Sequence, residues 1–382
     1  MAIDGLKLCE RLLLFECMQC GKCTGGCPVS IRTNLNPRAL LYQALLGEKF
    51  QPKNRTDIWE CTTCGTCIER CPKGVRPMDA VVSLRADVVE SGRIFPTVQK
   101  ALESIYKHGN PWERIRDKRT DWVGDLKPRI LTKGERTELL LFVGCTPAYD
   151  PRIQELARGL VQIFQKVGVD FAILGNEESC CANEVKRLGE QGLFELMIEN
   201  NRELFRQYEF KTLVTISPHC YNTFINEYGE LDFEILHYTQ VLSQLLEAEQ
   251  LKLKANFAQT VTYHDPCFLG KQNKIFDEPR QILTHLAGDE FIEMARSRER
   301  SLCCEGGGGR MWLESASEQE RLADVRVKEA VAMNVDILAT ACPFCLLTLE
   351  DAVKTSGHEG HIEIKDLIEL VVEQLDMDSH QG

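Results

Sequence analysis

Residues 17–28 read CMQCGKCTGGCP, and residues 61–72 read CTTCGTCIERCP. Both are C-x2-C-x2-C-x3-C-P: Cys17, Cys20, Cys23 and Cys27 before Pro28, then Cys61, Cys64, Cys67 and Cys71 before Pro72. Three thiols two residues apart can wrap one face of a metal group on a tight loop, so the fourth ligand must come from elsewhere. The small residues between them (Gly21, Thr24, Gly25, Gly26, Gly65, Thr66) let backbone N–H groups approach bound sulfur.

This is the spacing of two-cluster bacterial ferredoxins, in which the fourth Cys of each run ligates the other cluster. It assigns Cys17, Cys20, Cys23 and Cys71 to one [4Fe-4S] cubane, and Cys61, Cys64, Cys67 and Cys27 to a second. A structural zinc site is the competing reading. Zinc takes four Cys in a closed tetrahedron, usually as two CxxC pairs, and two identical four-Cys runs fit that poorly.

The chain holds 18 Cys in 382 residues. A disulfide-stapled secreted module has roughly 8–10% Cys or more, so that class is excluded. Beyond the two runs lie Cys145, the pair Cys180-Cys181, and Cys220, then Cys267, the pair Cys303-Cys304, Cys342 and Cys345. Cys9 alone is left over. The step from Cys145 to Cys180 nearly equals that from Cys267 to Cys303. The step from Cys181 to Ser217 likewise nearly equals that from Cys304 to Cys342.

Apolar periodicity supplies the framework. Residues 36–47 and 77–90 read as helices, the first opened by Pro37 and stopped by Gly47. A charged stretch from 91 to 127 reads as a helical linker, with Trp112 and Trp122 packing on the next domain. From Thr137 short apolar runs alternate with helical patterns: strands at 137–144, 170–174 and 213–216, and a helix at 153–167. The pattern restarts with strands at 260–263, 291–294 and 336–340 and a helix at 278–287. The expected fold is α/β: a helical two-cluster ferredoxin-like domain over 1–90, a linker over 91–136, and two pseudo-symmetric parallel α/β halves over 137–254 and 255–382. Strand ends are where such folds place ligands.

Charge excludes one class of partner. Lys and Arg number 45 against 57 Asp and Glu, a net −12, whereas phosphate backbones need a basic surface. No nucleic-acid partner is expected. The apolar run Leu12 to Phe15 is too short for a signal peptide, which needs roughly 7–15 residues. No window reaches the ~20 apolar residues of a membrane span. A cytoplasmic protein is expected, whose thiols serve metal or redox chemistry.

The segments ECTTCGTCIERCPKGVRP (60–77), YHDPCFLG (263–270), LCCEGGGGRMW (302–312) and ACPFCLLTLEDA (341–352) carry a family resemblance. Paired C…CC…CxxC blocks after a ferredoxin-like segment resemble the cysteine-rich CCG domains of the heterodisulfide reductase D-type family, over nearly the whole chain. The resemblance implies that Cys267, Cys303, Cys304, Cys342 and Cys345 hold a noncubane [4Fe-4S] cluster and form the catalytic centre. Two adjacent thiolates suit an opened cluster with a bridging thiolate. Zinc or buried core thiols are the alternative. Glu305 replaces the glycine of the CCG motif, although Gly306–Gly309 follow.

The first block departs further: Ser217 stands where Cys342 stands in the second, and Ala182 replaces the glycine. Three readings remain open for Cys145, Cys180, Cys181 and Cys220. They hold a four-Cys cluster, or none, or a five-ligand cluster completed by Ser217 or another group. Functionally the resemblance implies an oxidoreductase subunit of an anaerobic-type complex. It would pass electrons between the two cubanes and the noncubane centre, with disulfide or thiol chemistry there. The alternative is a pure relay in a flavoenzyme complex of the 2-hydroxyacid oxidoreductase or benzoyl-CoA reductase type. Either way the implied partners are a flavoprotein or other redox subunits. A zinc-bound scaffold is a third class.

His219 and His264, beside Cys220 and Cys267, read as strand-end residues bonding backbone, with proton donation as the alternative. His358 and His361 sit in a glycine-rich loop and read as exposed. Gly306–Gly309 lacks the Lys and Ser/Thr of a phosphate loop, and no dinucleotide fingerprint occurs, so no intrinsic flavin or nicotinamide site is expected.

Overall fold

The structure is a computed structural model that describes residues 10, 12–45, 56–254, 257–313 and 319–375. Cys9 and Gly47 lie outside the described residues.

Pro37–Leu45 and Pro77–Glu90 are helices packed on one another. Each opens on a proline, whose missing N–H is an orphan at that position anyway. The two Cys runs fold alike. Gln19 and Thr63 have φ of 55° and 50°, and Gly21 and Gly65 have φ of 78° and 77°. Left-handed residues at alternate positions curl each loop, so that its N–H groups turn inward. For Gln19 and Thr63 that backbone is uncommon, which marks the loops as shaped for a ligand.

The linker forms the helix Pro96–His108 and then irregular turns. Trp122 is buried in the main core, and Trp112 packs on Trp312 with ring centroids 5.7 Å apart.

Beyond it lie two parallel sheets. Strands β1 (Arg136–Phe142), β2 (Phe171–Ala172), β3 (Glu209–Thr215) and β4 (Glu234–His237) take the order β2-β1-β3-β4. Strands β5 (Val261–Tyr263), β6 (Ile337–Thr340) and β7 (Glu363–Asp366) take the order β5-β6-β7. Phe291 bridges Val261 in parallel, where β2 sits in the first sheet. The strand expected at 291–294 is therefore reduced to one bridge: it lies at a sheet edge beside a three-residue strand, and Ile292 turns to solvent. The parallel α/β class holds, and both halves share one topology.

β4 and β7 are too short for a period-2 signal. Each ends on a helix cap. His237 caps Tyr238–Glu247 and Asp366 caps Leu367–Glu373, both as capping boxes. Packing between the halves is crossed. Gln154–Val167 of the first half lies on Leu367–Glu373 of the second, and Tyr238–Glu247 lies on Asp277–Ala287.

Asp366 is fully buried at this crossing. Oδ1 accepts from the Tyr238 hydroxyl at 2.6 Å and from the Ile368 N–H at 3.0 Å, while Oδ2 has no partner among the described residues. Burial pushes its carboxyl up to about 8. The native state thus holds a proton that the unfolded chain releases in the ordinary carboxylate range. Stability falls as pH rises through that window. Asp366→Asn keeps the Oδ1 acceptor and removes the ionisation. Its melting temperature is expected to gain on the parent's as pH rises from the ordinary carboxylate range to about 8, with the gap level above that, read by thermal melts across pH.

Among the described residues, no helix is long and apolar enough to cross a membrane.

Candidate metal centres

The fold brings the two Cys runs together crosswise. Cys27, Cys61, Cys64 and Cys67 line one small cavity with Val29, Leu35 and Val81. Cys17, Cys20, Cys23 and Cys71 line another. The first is the more enclosed, with Cys64 buried and Cys27, Cys61 and Cys67 part-exposed, and burial pushes the Cys61 thiol up to about 12 even with the Arg85 guanidinium beside it. The second reaches the surface at Cys20. Among the described residues, no carboxylate or imidazole shares either lining. Four soft sulfur donors around a small cavity, with inward N–H groups, fit an iron–sulfur group.

The second block gathers five buried thiols. Cys267 follows β5, Cys303 and Cys304 lie on a loop, Cys342 caps Pro343–Thr355, and Cys345 sits in its first turn. Cys304 and Cys345 sulfurs are 3.2 Å apart. The N–H groups of Glu305 and Gly306 point at the Cys303 and Cys304 sulfurs, each at 3.4 Å. His264 places a ring nitrogen within 4.8 Å of Cys304 and Cys345. Its Nδ1 accepts from Arg326 Nε at 3.2 Å, so Nε2 carries the ring's proton, and burial holds the imidazole neutral, well below its usual range. Neither His219 nor His264 uses its ring on backbone, contrary to the expectation. The His219 ring bonds Glu184 at 3.2 Å and Asn183 at 3.1 Å, stacks on Phe268, and reaches Cys342 of the other block. Burial opposes its charge, but Cys342 and Glu184 outweigh that and lift it to about 10.

The more enclosed ferredoxin-like site and the second block touch. Cys303 Sγ lies 3.4 Å from Thr62 Oγ1, and its thiol is near enough to Cys64 for the two to interact. The glycine run 306–309 makes this possible. A Cβ on Gly308 would sit 2.7 Å from the Thr62 carbonyl carbon, and its φ is +69°. Gly308→Ala is expected to cost about 2 kcal/mol or more, since it adds both a clash and a left-handed strain. Thermal unfolding of the purified variant checks this.

The first block keeps the geometry of its counterpart. Cys145, Cys180, Cys181 and Cys220 lie near enough for each thiol to interact with the next. Ala182 has φ +67° and Glu305 +69°, so both occupy the left-handed position of the motif's glycine. The Ala182 N–H points at Cys180 Sγ at 3.3 Å, as Glu305 does at Cys303. Ser217 does not turn to the thiols: its hydroxyl accepts from the His219 N–H at 3.3 Å and caps Pro218–Glu227.

The cations of these sites carry no sequence signal. Arg119, from the linker, lies 3.9 Å from the Cys145 sulfur and pairs with Glu178 at 2.5 Å, both buried. Arg85 sits under the Cys61 loop. Neither belongs to a motif, and a lone Arg in a helix gives no sign of burial. His358 is half-buried and His361 exposed.

Residues 14–75 match the 4Fe-4S dicluster domain family, and residues 139–225 and 261–350 each match the cysteine-rich (CCG) domain family. The chain is 35% identical to the "Probable iron-sulfur-binding oxidoreductase FadF" of Bacillus subtilis, over 78% of its own length and 44% of that protein's. It is 29% identical to the "EtfAB:quinone oxidoreductase" of Syntrophomonas wolfei, over 95% of its own length and 58% of that protein's. It thus spans about half the length of these two relatives. With the D component of the dihydromethanophenazine:CoB--CoM heterodisulfide reductase of Methanosarcina barkeri it shares 29% identity, over 97% of the chain and 96% of that protein. The chain thus joins a domain of the 4Fe-4S dicluster family to two of the cysteine-rich (CCG) family, and over nearly its whole length it is similar to the heterodisulfide reductase D component.

Proposed function

We propose that the chain is the electron-carrying oxidoreductase subunit of a redox complex. Cys17, Cys20, Cys23 and Cys71 hold one [4Fe-4S] cubane, Cys27, Cys61, Cys64 and Cys67 a second, and Cys267, Cys303, Cys304, Cys342 and Cys345 a noncubane [4Fe-4S] centre. Such groups supply one-electron chemistry, which splits a two-electron reaction into single steps. The observation that carries this reading is the Cys64–Cys303 contact, which sets the more enclosed site of the dicluster domain against the second block. Cys20 at the surface then faces a partner, a flavoprotein or another redox subunit.

At the second block, the chain's own residues hold the protons. His264 places a ring nitrogen within 4.8 Å of Cys304 and Cys345, and His219 stands over Cys342. That equipment suits reduction of a disulfide to two thiols, with electrons from the partner's reduced flavin and protons from solvent. The relay reading has its own support: the five thiols are at most 6% exposed, so a bulky disulfide has no open approach. Anaerobic EPR before and after a thiol–disulfide pair is added separates the two. A new signal from the second block supports disulfide chemistry, and an unchanged spectrum beside a co-purifying flavoprotein supports the relay.

For the first block, Cys145, Cys180, Cys181 and Cys220 supply four thiols without Ser217, so a four-Cys cluster is proposed there. Cys181→Ala is expected to lower the iron content of anaerobically purified protein. Unchanged iron would leave this half as cluster-free scaffold.

A further inference from the structure

Arg85 has no exposed surface. Its five N–H donors are all used: Nε and Nη2 on the Ile58 carbonyl at 3.1 and 2.9 Å, Nη2 on Cys61 at 2.6 Å, and Nη1 on Arg187 and Gly308, both at 2.8 Å. Every acceptor is a neutral carbonyl. One guanidinium thus ties the dicluster domain to both halves, and none of those bonds neutralises its charge. A buried ion costs several kcal/mol unless an opposite charge faces it. The neighbouring buried cations obey that rule: Arg310 pairs with Glu60, Arg187 with Glu227, Arg32 with Glu305 and Arg119 with Glu178. Among the described residues Arg85 makes no such pair.

Lys271 is the second exception. It is 2% exposed, and its ammonium bonds the Ser301 carbonyl at 2.5 Å with no carboxylate partner among the described residues. It comes from the second half, and its Cβ lies 4.0 Å from where a Cβ on Gly65, next to Cys64, would sit. Both unpaired cations therefore lie beside the Cys61–Gly65 loop. The Glu184 carboxylate also acts on Arg85 but is engaged by His219 and the Gly309 N–H; the remaining negative charge there is that of the thiolates Cys27, Cys61, Cys64 and Cys67 with their bound iron, a net anion.

We propose that Arg85 and Lys271 are the counter-charge of the iron–sulfur group held by Cys27, Cys61, Cys64 and Cys67, and that they set its potential above that of the group at Cys17, Cys20, Cys23 and Cys71. This rests on the ligand assignment proposed above. An added electron is a unit of negative charge, favoured by a nearby buried cation as ionisation of an acid is. The outer cavity is lined by Lys22, Arg38 and Lys73 instead, and its Cys20 is at the surface, where solvent and salt screen such charges. The more enclosed site is thus the electron sink of the pair, and electrons settle beside Cys303.

The test is an anaerobic redox titration followed by EPR, with iron content, on the full chain and on Arg85→Gln, Arg85→Lys and Lys271→Met. Arg85→Gln and Lys271→Met are each expected to lower the midpoint of one dicluster signal and leave the other in place. The expected drop in the reduced-to-oxidised ratio is on the order of tenfold, about 59 mV for one electron. Arg85→Lys, which keeps the charge but not the fork, should move it far less. Midpoints equal to the parent's in fully loaded variants overturn the proposal, as do equal shifts of both signals. If Arg85→Gln binds no iron because the three-way tie is lost, Lys271→Met, outside that tie, decides alone. A parent protein without two dicluster signals refutes the ligand assignment itself, which is a distinct result.

Discussion

Cys304→Ala protein is expected to lose the iron of the second block and to keep both dicluster signals. Delivery of electrons from the reduced dicluster domain to a disulfide, or to the partner's flavin, should fall to background. Cys304 is deeply embedded: its sulfur lies 3.2 Å from that of Cys345 and receives the Gly306 N–H. Alanine removes the sulfur with little change of volume, so the loop 303–309 keeps its path against Thr62. Neither dicluster cavity uses Cys304, which is why its loss should be local. Iron analysis and EPR on the same sample check the split. Retained electron delivery with the second block empty would remove this block from the function.

Glu178→Ala should be the most destabilising exchange outside the thiols. Oε1 of Glu178 accepts from Arg119 at 2.5 Å and from the Gly144 N–H at 2.8 Å, and Oε2 accepts from the Val143 N–H at 2.8 Å. The variant strands a guanidinium that is 2% exposed, together with two buried N–H groups. Breaking a buried ion pair from one side costs about 3–5 kcal/mol. At about 2–4 °C per kcal/mol for a body of this size, the melting temperature should drop by about 10 °C. Arg119→Met in the same background should recover part of the loss, because it removes the stranded charge. A double-mutant cycle by thermal melts reads this directly.

Much of the framework is legible because cysteine spacing and strand patterns are local. β1, β3, β5 and β6 announce themselves as apolar runs, and each one leads into a cysteine of its block. β4 and β7 escape such a reading because EILH and EIKD are too short to alternate; their sheets are completed by pairing partners far along the chain. The run 306–309 is recognisable as a place for close backbone approach, but not what approaches. Its neighbour, Thr62, is distant in sequence, and one chain read alone carries no signal of that contact. Glu305 shows the same limit. Against the motif it is a substitution for glycine. In the fold it holds a left-handed backbone and ties the dicluster domain through Arg32 at 2.8 Å. Arg85, Arg119 and Lys271 are invisible because an isolated cation in sequence is most often on the surface.

The crossed packing of the halves bears on descent. Each half lends its last helix to the other: Leu367–Glu373 covers Gln154–Val167, and Tyr238–Glu247 covers Asp277–Ala287. That is the arrangement of a homodimer whose two copies have been joined into one polypeptide. Once fused, the copies are free to diverge in chemistry but not in shape, since each is the other's lid. A copy that lacks one cysteine, as the first does at Ser217, is therefore kept, because deleting it would strip the apolar cover from the copy that holds all five.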